Sequence, residues 1–267
     1  MSERTMNIAD LAVTFIEPSS TQRKVIEGHL KKLGLSKVDW FSDGESALKD
    51  MHQYQPDLVV SAMHLPDMSG TELVQKMRAD EALEHLPFMV VSSEHSDYYL
   101  EPARQAGVVA ILSKPFDPED LKKALYSTLE FIEPESLELD DIELDELLVL
   151  VVDDSATARK HICRVLNNLG IINIIQAVNG KEALACMDGR LFDLIVTDYN
   201  MPEMDGQELT KYVREKGVQK SIPILMVTSE ANSSQLAGVK QAGISALCDK
   251  PFEPGEVKSL IKKILSE

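Results

Sequence analysis

The second half of the chain alternates short apolar runs with amphipathic segments. Residues 147–152 are all apolar and too few for a helix, which predicts a buried strand. Residues 155–170 carry apolar side chains at helical spacing and end at Gly170, a typical helix stop. Further strands are predicted at 173–178, 193–197 and 223–229, a weaker one at 244–250, and a closing helix at 256–265. These alternations predict an α/β fold, a parallel sheet with helices on both faces.

The chain aligns with itself, without a gap, when it is shifted by 136 residues. A period of this length predicts a duplicated domain and not a solenoid. We expect a first domain at 8–132, an acidic linker at 133–146 and a second domain at 147–267. The superimposed pairs include Gly34 and Gly170, Gly44 and Gly180, Asp57 and Asp193, Pro66 and Pro202, Gly70 and Gly206, Pro87 and Pro223, and Gly107 and Gly243.

Composition excludes several classes of protein. The 267 residues carry a net charge of −17, a surface that repels nucleic acid and anionic lipid. Because of this charge we expect no nucleic-acid partner. Because no apolar run is long enough to cross a bilayer, we also expect no membrane insertion. The N-terminus lacks the features of a signal peptide, and the three cysteines are scattered without metal spacing. Both features predict a cytoplasmic protein with reduced thiols.

The acidity is concentrated in the predicted linker. Residues 133–146 hold eight acids and no base, and without them the chain carries −9. Apolar residues alternate with these acids, so the segment could extend, pack on a domain or stay disordered.

Polar residues follow the predicted strands of the second domain. Asp153 and Asp154 follow its first strand, Asp198 ends the third, Thr228 the fourth, and Lys250 follows the fifth. In open parallel sheets the chemistry lies at the carboxyl ends of the strands, so these side chains should meet at one rim.

Such a rim suits phosphoryl transfer. Three close carboxylates repel one another, and a hard divalent cation such as Mg²⁺ relieves that repulsion. A lysine and a hydroxyl can hold phosphoryl oxygens, and one carboxylate could itself be the nucleophile. The alternative is structural: Asp154 or Ser155 could cap the following helix. Capping explains neither Asp198 nor Lys250.

Four segments of the second half, "VLVVDDSATARK", "DLIVTDYNMPEMDG", "PILMVTSEA" and "LCDKPF", closely resemble the receiver domains of two-component response regulators, chemotaxis type included. Together and in order, these motifs are highly specific. The resemblance implies two tandem flavodoxin-like receiver domains, each a five-stranded parallel sheet of strand order 2-1-3-4-5.

The resemblance also implies roles for the rim. Asp198 would accept a phosphoryl group from a kinase phosphohistidine. Mg²⁺, or Mn²⁺, would be held by Asp154 directly, by Asp153 largely through water, by Asp198, and by the backbone carbonyl of Asn200. Thr228 and Lys250 would bind the phosphoryl group, and the Lys250–Pro251 peptide bond would be cis.

Five further residues bear on signalling. The family often has an aromatic residue where this chain has Leu247, so coupling of a hydroxyl to an aromatic is not expected. Asn200 and Glu230 match chemotaxis-type receivers that lose their phosphoryl group quickly. Pro102 in the first copy and Gly238 in the second lie at matching places in the helix before the last strand, and both residues disfavour a helix. A marginally stable helix would suit a face that shifts during signalling. In the first copy, a helix that starts late, at Pro102, would explain the proline equally well.

The first copy lacks two of the three carboxylates of the rim, including the one that would be the nucleophile. Its counterparts are Glu17 and Pro18 for the aspartate pair, Ala62 for Asp198, Ser92 for Thr228, and Lys114 for Lys250. Without the nucleophile it cannot accept a phosphoryl group. It resembles degenerate receivers that dock or dimerise, and we expect it to gain little stability from Mg²⁺.

The leading functional hypothesis is a tandem receiver without a separate output domain. It would be no enzyme beyond Mg²⁺-dependent self-phosphotransfer and autodephosphorylation. Its partners would be a histidine kinase or phosphotransfer protein and a downstream protein, with a homodimer possible. The alternatives are an adaptor that works without phosphorylation and a phosphate sink for a shared kinase.

Overall fold

The computed structural model describes residues 7–94, 96–132, 143–228, 242–252 and 254–265. The chain divides into two compact units, Met1–Pro134 and Glu135–Glu267. Each unit holds a five-stranded parallel sheet within these described ranges. None of the described helices is long and apolar enough to cross a membrane.

The first unit opens with a short 3-10 turn, Ile8–Asp10, and then alternates strands and helices. Its elements are β1 Ala12–Ile16, α1 Ser20–Lys32, β2 Lys37–Phe41, α2 Gly44–Met51, β3 Leu58–Ala62, α3 Gly70–Arg78, β4 Phe88–Ser92, α4 Asp97–Gln105, β5 Ala110–Ser113 and α5 Pro118–Ile132. The strand order is β2-β1-β3-β4-β5.

The second unit repeats this plan. Its described elements are β6 Leu148–Val152, α6 Ala156–Asn168, β7 Asn173–Ala177, α7 Gly180–Met187, β8 Leu194–Asp198, α8 Gly206–Lys216, β9 Ile224–Thr228, β10 Ala246–Asp249 and α9 Pro254–Leu265. The order β7-β6-β8-β9-β10 is again 2-1-3-4-5 within the unit. The predicted fold class is therefore confirmed.

Burial explains why the strands read as continuous apolar runs. Every residue of β3, β4, β8 and β9 is buried, because helices cover both faces of a parallel sheet. In the first unit one core cluster includes Leu73 and Met77 of α3, and another includes Leu121 and Leu125 of α5. The sheet lies between the two clusters.

The helix starts are capped at equivalent positions in the two units. The Ser19 hydroxyl accepts a hydrogen bond from the Gln22 N–H, and the Ser155 hydroxyl accepts one from the Ala158 N–H. Ser155, and not Asp154, is thus the capping residue of α6. Asp154 stays exposed at the rim and is available for chemistry.

Pro102 does not mark a late helix start. α4 begins at Asp97, so the proline lies inside the helix. Its ring removes one backbone N–H donor, at a cost of about 3 kcal/mol in a helix interior. Leu100 and Ala103 are buried in the core beside it, which offsets that cost. Gly238, the counterpart in the second copy, lies outside the described residues.

Candidate functional site

The parallel strands of the second unit end at one edge and bring the predicted polar residues together. Asp153 follows β6, Asp198 and Thr228 are the last residues of β8 and β9, and Lys250 follows β10. The register pairs Asp198 with Val227 and Asp249 with Thr228, so the three strands end level with one another. Asp153, Asp198, Thr228 and Lys250 are all buried.

Three carboxylates converge at this edge. Asp153, Asp154 and Asp198 each offer a carboxylate oxygen, and these oxygens lie within 4.8 Å of one another. Lys250 faces them: its Nζ lies 3.0 Å from Asp198 Oδ1 and 3.3 Å from Asp153 Oδ2. One ammonium cannot neutralise three carboxylates, so the rim keeps a negative excess.

The two carboxylate oxygens of Asp198 have different surroundings. Oδ1 accepts hydrogen bonds from Lys250 and from the Tyr199 N–H, the latter at 2.9 Å. Oδ2 is buried and has no hydrogen-bond partner among the described residues. Because a buried carboxylate oxygen without a partner is costly, Oδ2 marks a position that an electrophile or cation would stabilise.

Burial also perturbs the acid–base behaviour of the rim. It raises the pKa of Asp198 to about 7, an effect opposed by Lys250 and reinforced by the neighbouring Asp153 carboxylate. The pKa of Asp153 is likewise raised, mainly by burial and against the effect of Lys250. Such shifts are typical of functional sites, where like charges are held together by the fold.

Backbone contacts hold the carboxylates in place. The Ser155 N–H donates to Asp153 Oδ1 at 2.8 Å. The Arg159 guanidinium donates to the carbonyl oxygens of Asp153 and Asp154, at 2.6 and 3.2 Å. Sequence reasoning missed Arg159; its position one turn into α6, after an aspartate pair, was the available signal.

Gly206 allows a close approach behind Asp198. A Cβ atom at Gly206 would lie 2.2 Å from the Asp198 carbonyl oxygen, closer than real Cβ atoms come. The Gly206 N–H donates to the Tyr199 carbonyl at 3.0 Å. The glycine therefore sets the backbone position from which the Asp198 side chain projects.

The donor set fits a hard divalent cation. Three carboxylates within reach of one another, one with an orphaned buried oxygen, are the ligands that Mg²⁺ prefers. Asn200, the predicted carbonyl ligand, lies two residues beyond Asp198 at the same edge. The acidic cluster can therefore accommodate the ion.

The opposite side of the rim is formed by Thr228 and Lys250. The Lys250 N–H donates to the Thr228 carbonyl at 2.8 Å, so the two strand ends are joined. The Lys250–Pro251 peptide bond is cis, as is Lys114–Pro115 in the first unit. Leu247 is half-buried on β10, whereas Glu230 lies outside the described residues.

The same edge of the first unit has different electrostatics. Glu17 is buried, its Oε2 lies 2.9 Å from Lys114 Nζ, and its Oε1 accepts from the Ser19 N–H at 2.9 Å. Pro18 is exposed, and Ala62 ends β3 at the position of Asp198. Here one carboxylate and one ammonium balance.

Ser92, the counterpart of Thr228, is buried, and its hydroxyl accepts a hydrogen bond from the Glu94 N–H at 2.9 Å. Its carbonyl accepts from the Lys114 N–H at 2.6 Å, which repeats the contact between Thr228 and Lys250. The first unit thus keeps the scaffold of the rim without its acidic cluster.

Comparison with known proteins identifies the family. The response regulator receiver domain matches this chain twice, at residues 13–126 and 149–262. The chain therefore belongs to the response regulator receiver family of two-component signalling, and the predicted tandem arrangement of receivers is confirmed.

Several relatives and structures are similar to parts of the chain. The chemotaxis protein CheY of Pseudomonas aeruginosa is 40% identical over 116 residues, which are 43% of this chain and 94% of that protein. CheY-3 of Vibrio cholerae is 38% identical over 116 residues, covering 43% of this chain and 89% of that protein. The structure of Vibrio cholerae CheY4 matches 45% of this chain and 98% of its own, at 35% identity and a TM-score of 0.42.

Proposed function

We propose that the second receiver accepts a phosphoryl group on Asp198 from the phosphohistidine of a histidine kinase or phosphotransfer protein. The phosphorylated receiver then signals through contacts with a downstream protein, in the cytoplasm. The first receiver takes no phosphoryl group and serves as a docking or constraining module. The observation that carries this proposal is Asp198 itself: it clusters with Asp153 and Asp154, its Oδ1 contacts Lys250, and its buried Oδ2 has no hydrogen-bond partner among the described residues.

A divalent cation completes the site. Asp153, Asp154 and Asp198 would hold it, with the carbonyl of Asn200 as a further ligand. Bound there, Mg²⁺ supplies positive charge for the oxygens of the incoming phosphoryl group. The fit rests on the acidic cluster and on the buried Asp198 Oδ2; within the described residues, the first unit has no such cluster of three carboxylates.

The transfer step needs little from the protein beyond position and charge. An Asp198 carboxylate oxygen attacks the phosphorus; the new P–O bond forms as the P–N bond to the donor histidine breaks. The imidazole nitrogen leaves with the electron pair of that bond. The Lys250 ammonium moves from the Asp198 carboxylate to one oxygen of the phosphoryl group, and the Thr228 hydroxyl donates a hydrogen bond to another of its oxygens.

The residues of the first receiver support a role in docking and not in phosphoryl transfer. Ala62 offers no nucleophile, and the Glu17 carboxylate already occupies the Lys114 ammonium. Its fold is retained, with the same strand order and equivalent helix caps. A module of this kind contributes surface and not chemistry.

Phosphorylation can be tested with a small donor. The full chain is incubated with acetyl phosphate and Mg²⁺, and the intact mass is measured. A single phosphoryl adduct is expected, and Asp198→Asn should abolish it. Asp188→Asn removes an exposed carboxylate away from the acidic rim and should leave the adduct unchanged.

Absence of an adduct, or an adduct that survives Asp198→Asn, would refute the proposal and favour an adaptor. Signalling is separated from a phosphate sink by capture of the kinase and of other bound proteins, with and without acetyl phosphate. A target bound only in the phosphorylated state supports signalling. Capture of the kinase alone supports a sink.

A further inference from the structure

The second receiver has an open groove far from the acidic rim. It lies where α7 and α8 end and where the following loops lead into β8 and β9, and its volume is about 560 Å³. Because helices run antiparallel to the strands in this fold, these ends lie at the edge of the sheet opposite Asp198. The phosphoryl-transfer chemistry does not use this edge.

Large apolar side chains line the groove and face solvent. Val218 is 94% exposed, Leu191 is 66% exposed and Tyr212 is 40% exposed. Single exposed apolar residues are ordinary, but three around one concavity are typical of an interaction site.

The walls of the groove are fixed by specific contacts. The Gln219 side chain accepts from the Phe192 N–H at 2.9 Å and donates to the Phe192 carbonyl at 2.8 Å. Gly217 is the residue directly after α8, and its backbone lies close to the helix: a Cβ atom at Gly217 would lie 2.5 Å from the Val213 carbonyl oxygen. The two loops are therefore held at a set separation, and an occupant meets a preformed surface.

The first receiver provides an internal comparison. There Gln55 replaces Leu191, and its side chain donates to the carbonyl of Ala82, the counterpart of Val218, at 2.8 Å. His52 and Asp80 also connect the two helix ends, with 3.1 Å between Nε2 and Oδ2. Polar contacts bridge this place in one copy, and exposed apolar side chains line it in the other.

The charge around the groove is positive in an otherwise acidic protein. Arg190 and Lys216 line it, against the single carboxylate of Asp188. Neither cation pairs with a carboxylate in the described parts of the chain, and Lys216 Nζ lies 5.6 Å from the centre of the Tyr212 ring. A bound segment with carboxylates next to apolar side chains would complement both the positive charge and the exposed apolar surface of the groove.

We infer that this groove binds an acidic segment of a partner protein, one that inserts leucine-like side chains between Leu191 and Val218 and places carboxylates beside Arg190 and Lys216. Within the described residues, the equivalent place of the first receiver is bridged by polar contacts, so we assign the site to the second receiver. Because it lies at the opposite edge from Asp198, a partner can stay docked there while the phosphoryl group is gained and lost.

The test uses the full chain and a short fluorescein-labelled peptide that carries two leucines flanked by glutamates. Saturable binding, followed by fluorescence anisotropy, is expected. Val218→Asp should weaken it by about tenfold or more, because a carboxylate replaces an apolar contact and repels the peptide. Arg190→Glu combined with Lys216→Glu should do the same, and a peptide with lysines in place of glutamates should bind at least about tenfold more weakly.

Two matched variants serve as controls. Ala82→Asp introduces an aspartate at the equivalent position of the first receiver, and Ile172→Asp introduces one at another exposed apolar residue of the second. Both should bind the peptide like wild type. All groove variants should keep the acetyl phosphate adduct on Asp198, which separates failure of this site from failure of the proposed phosphorylation.

Three results would overturn the inference. They are no saturable binding of the acidic peptide, equal weakening by Val218→Asp and Ala82→Asp, and equal binding of the acidic and basic peptides. Light scattering gives a fourth: if the chain forms a dimer that Val218→Asp abolishes, the occupant is a second copy and not an acidic partner.

Discussion

Glu17 and Lys114 form an ion pair, 2.9 Å between Oε2 and Nζ, at the edge where the second receiver gathers three aspartates around Lys250. The Glu17 side chain is 3% exposed and that of Lys114 is 23% exposed. The two rims therefore differ in charge: in the first receiver one carboxylate balances the lysine, and in the second receiver three carboxylates around one lysine leave an excess of negative charge.

We predict that Glu17→Gln destabilises the first receiver by about 2–3 kcal/mol. Removing one partner of a buried pair costs about 3–5 kcal/mol when both are fully buried, and the partial exposure of Lys114 reduces this. Urea unfolding followed by the fluorescence of Trp40, the single tryptophan of the chain, measures it.

The control for this pair is Glu27→Gln, which breaks the exposed pair with Lys31 and should change the unfolding midpoint little. Adding Lys114→Gln to Glu17→Gln should recover part of the lost stability. If Glu17→Gln and Glu27→Gln have the same small effect, the ion pair does not stabilise the unit.

We predict that Mg²⁺ stabilises the second receiver and leaves the first unchanged. A ligand at about 100 times its Kd adds about 2.7 kcal/mol to the unit that binds it. Thermal unfolding followed by circular dichroism should shift upward with Mg²⁺, and the midpoint reported by Trp40 should not. Asp153→Asn should remove the shift. Equal shifts by both probes would contradict this prediction.

We predict that without metal the second receiver loses stability as the pH rises from about 4 to about 7. Burial raises the pKa of Asp198 from 3.8 to about 7, so in this window the folded state holds a proton that the unfolded chain has released. Stability is therefore greatest below the unfolded pKa and falls as the pH passes through the folded one.

The measurement is urea unfolding of the full chain in EDTA across this pH range. Asp198→Asn should reduce the slope of the profile, with a remainder from Asp153, whose pKa is also raised, and Asp188→Asn, at an exposed site, should leave the slope unchanged. Mg²⁺ competes with the proton, so its affinity should rise with pH over the same window. A profile that Asp198→Asn leaves unchanged would assign the pH dependence to another group.

We predict that Gly206→Ala disturbs the rim. Its new Cβ would lie 2.2 Å from the Asp198 carbonyl oxygen, so the backbone must shift, at a cost of about 1–3 kcal/mol. The acetyl phosphate adduct should fall with it. Gly70→Ala, with 2.8 Å to the Ala62 carbonyl oxygen, should cost less.

The control glycine is Gly28 in α1, where a Cβ meets nothing within 4 Å. Gly28→Ala should stabilise the first receiver by about 0.5–1 kcal/mol through helix propensity. The adduct is measured by intact mass and the stability by urea unfolding. A normal adduct in Gly206→Ala would show that the backbone tolerates the displacement.

The meeting of Asp153, Asp198 and Lys250 was predictable because parallel strands end at a common edge, whatever their separation along the chain. The apolar runs locate the strands, so the residue that follows each run lies at the edge. The absence of Asp198's counterpart, at Ala62, was likewise visible from the repeat alone.

Other features depend on side-chain paths and packing that a periodic pattern does not encode. The pattern of apolar and polar residues does not show that the Glu17 side chain points toward Lys114, because that pattern does not determine side-chain rotamers. Pro102 in the sequence is compatible with a late helix start, but α4 begins at Asp97, and Leu100 and Ala103 pack in the core beside the proline. The groove beside Val218 arises where two loops approach, and neither loop reveals it alone.

The ion pair in the first receiver has a consequence for the chain as a whole. Since Glu17 and Lys114 belong to one folded chain, the fold keeps the carboxylate beside the ammonium at a high effective concentration, whatever ions the surrounding solution contains. We expect a rim that carries its own counter-ion to be insensitive to the concentration of dissolved magnesium. We therefore expect one receiver edge of the chain to be indifferent to divalent cations and the other to respond to them.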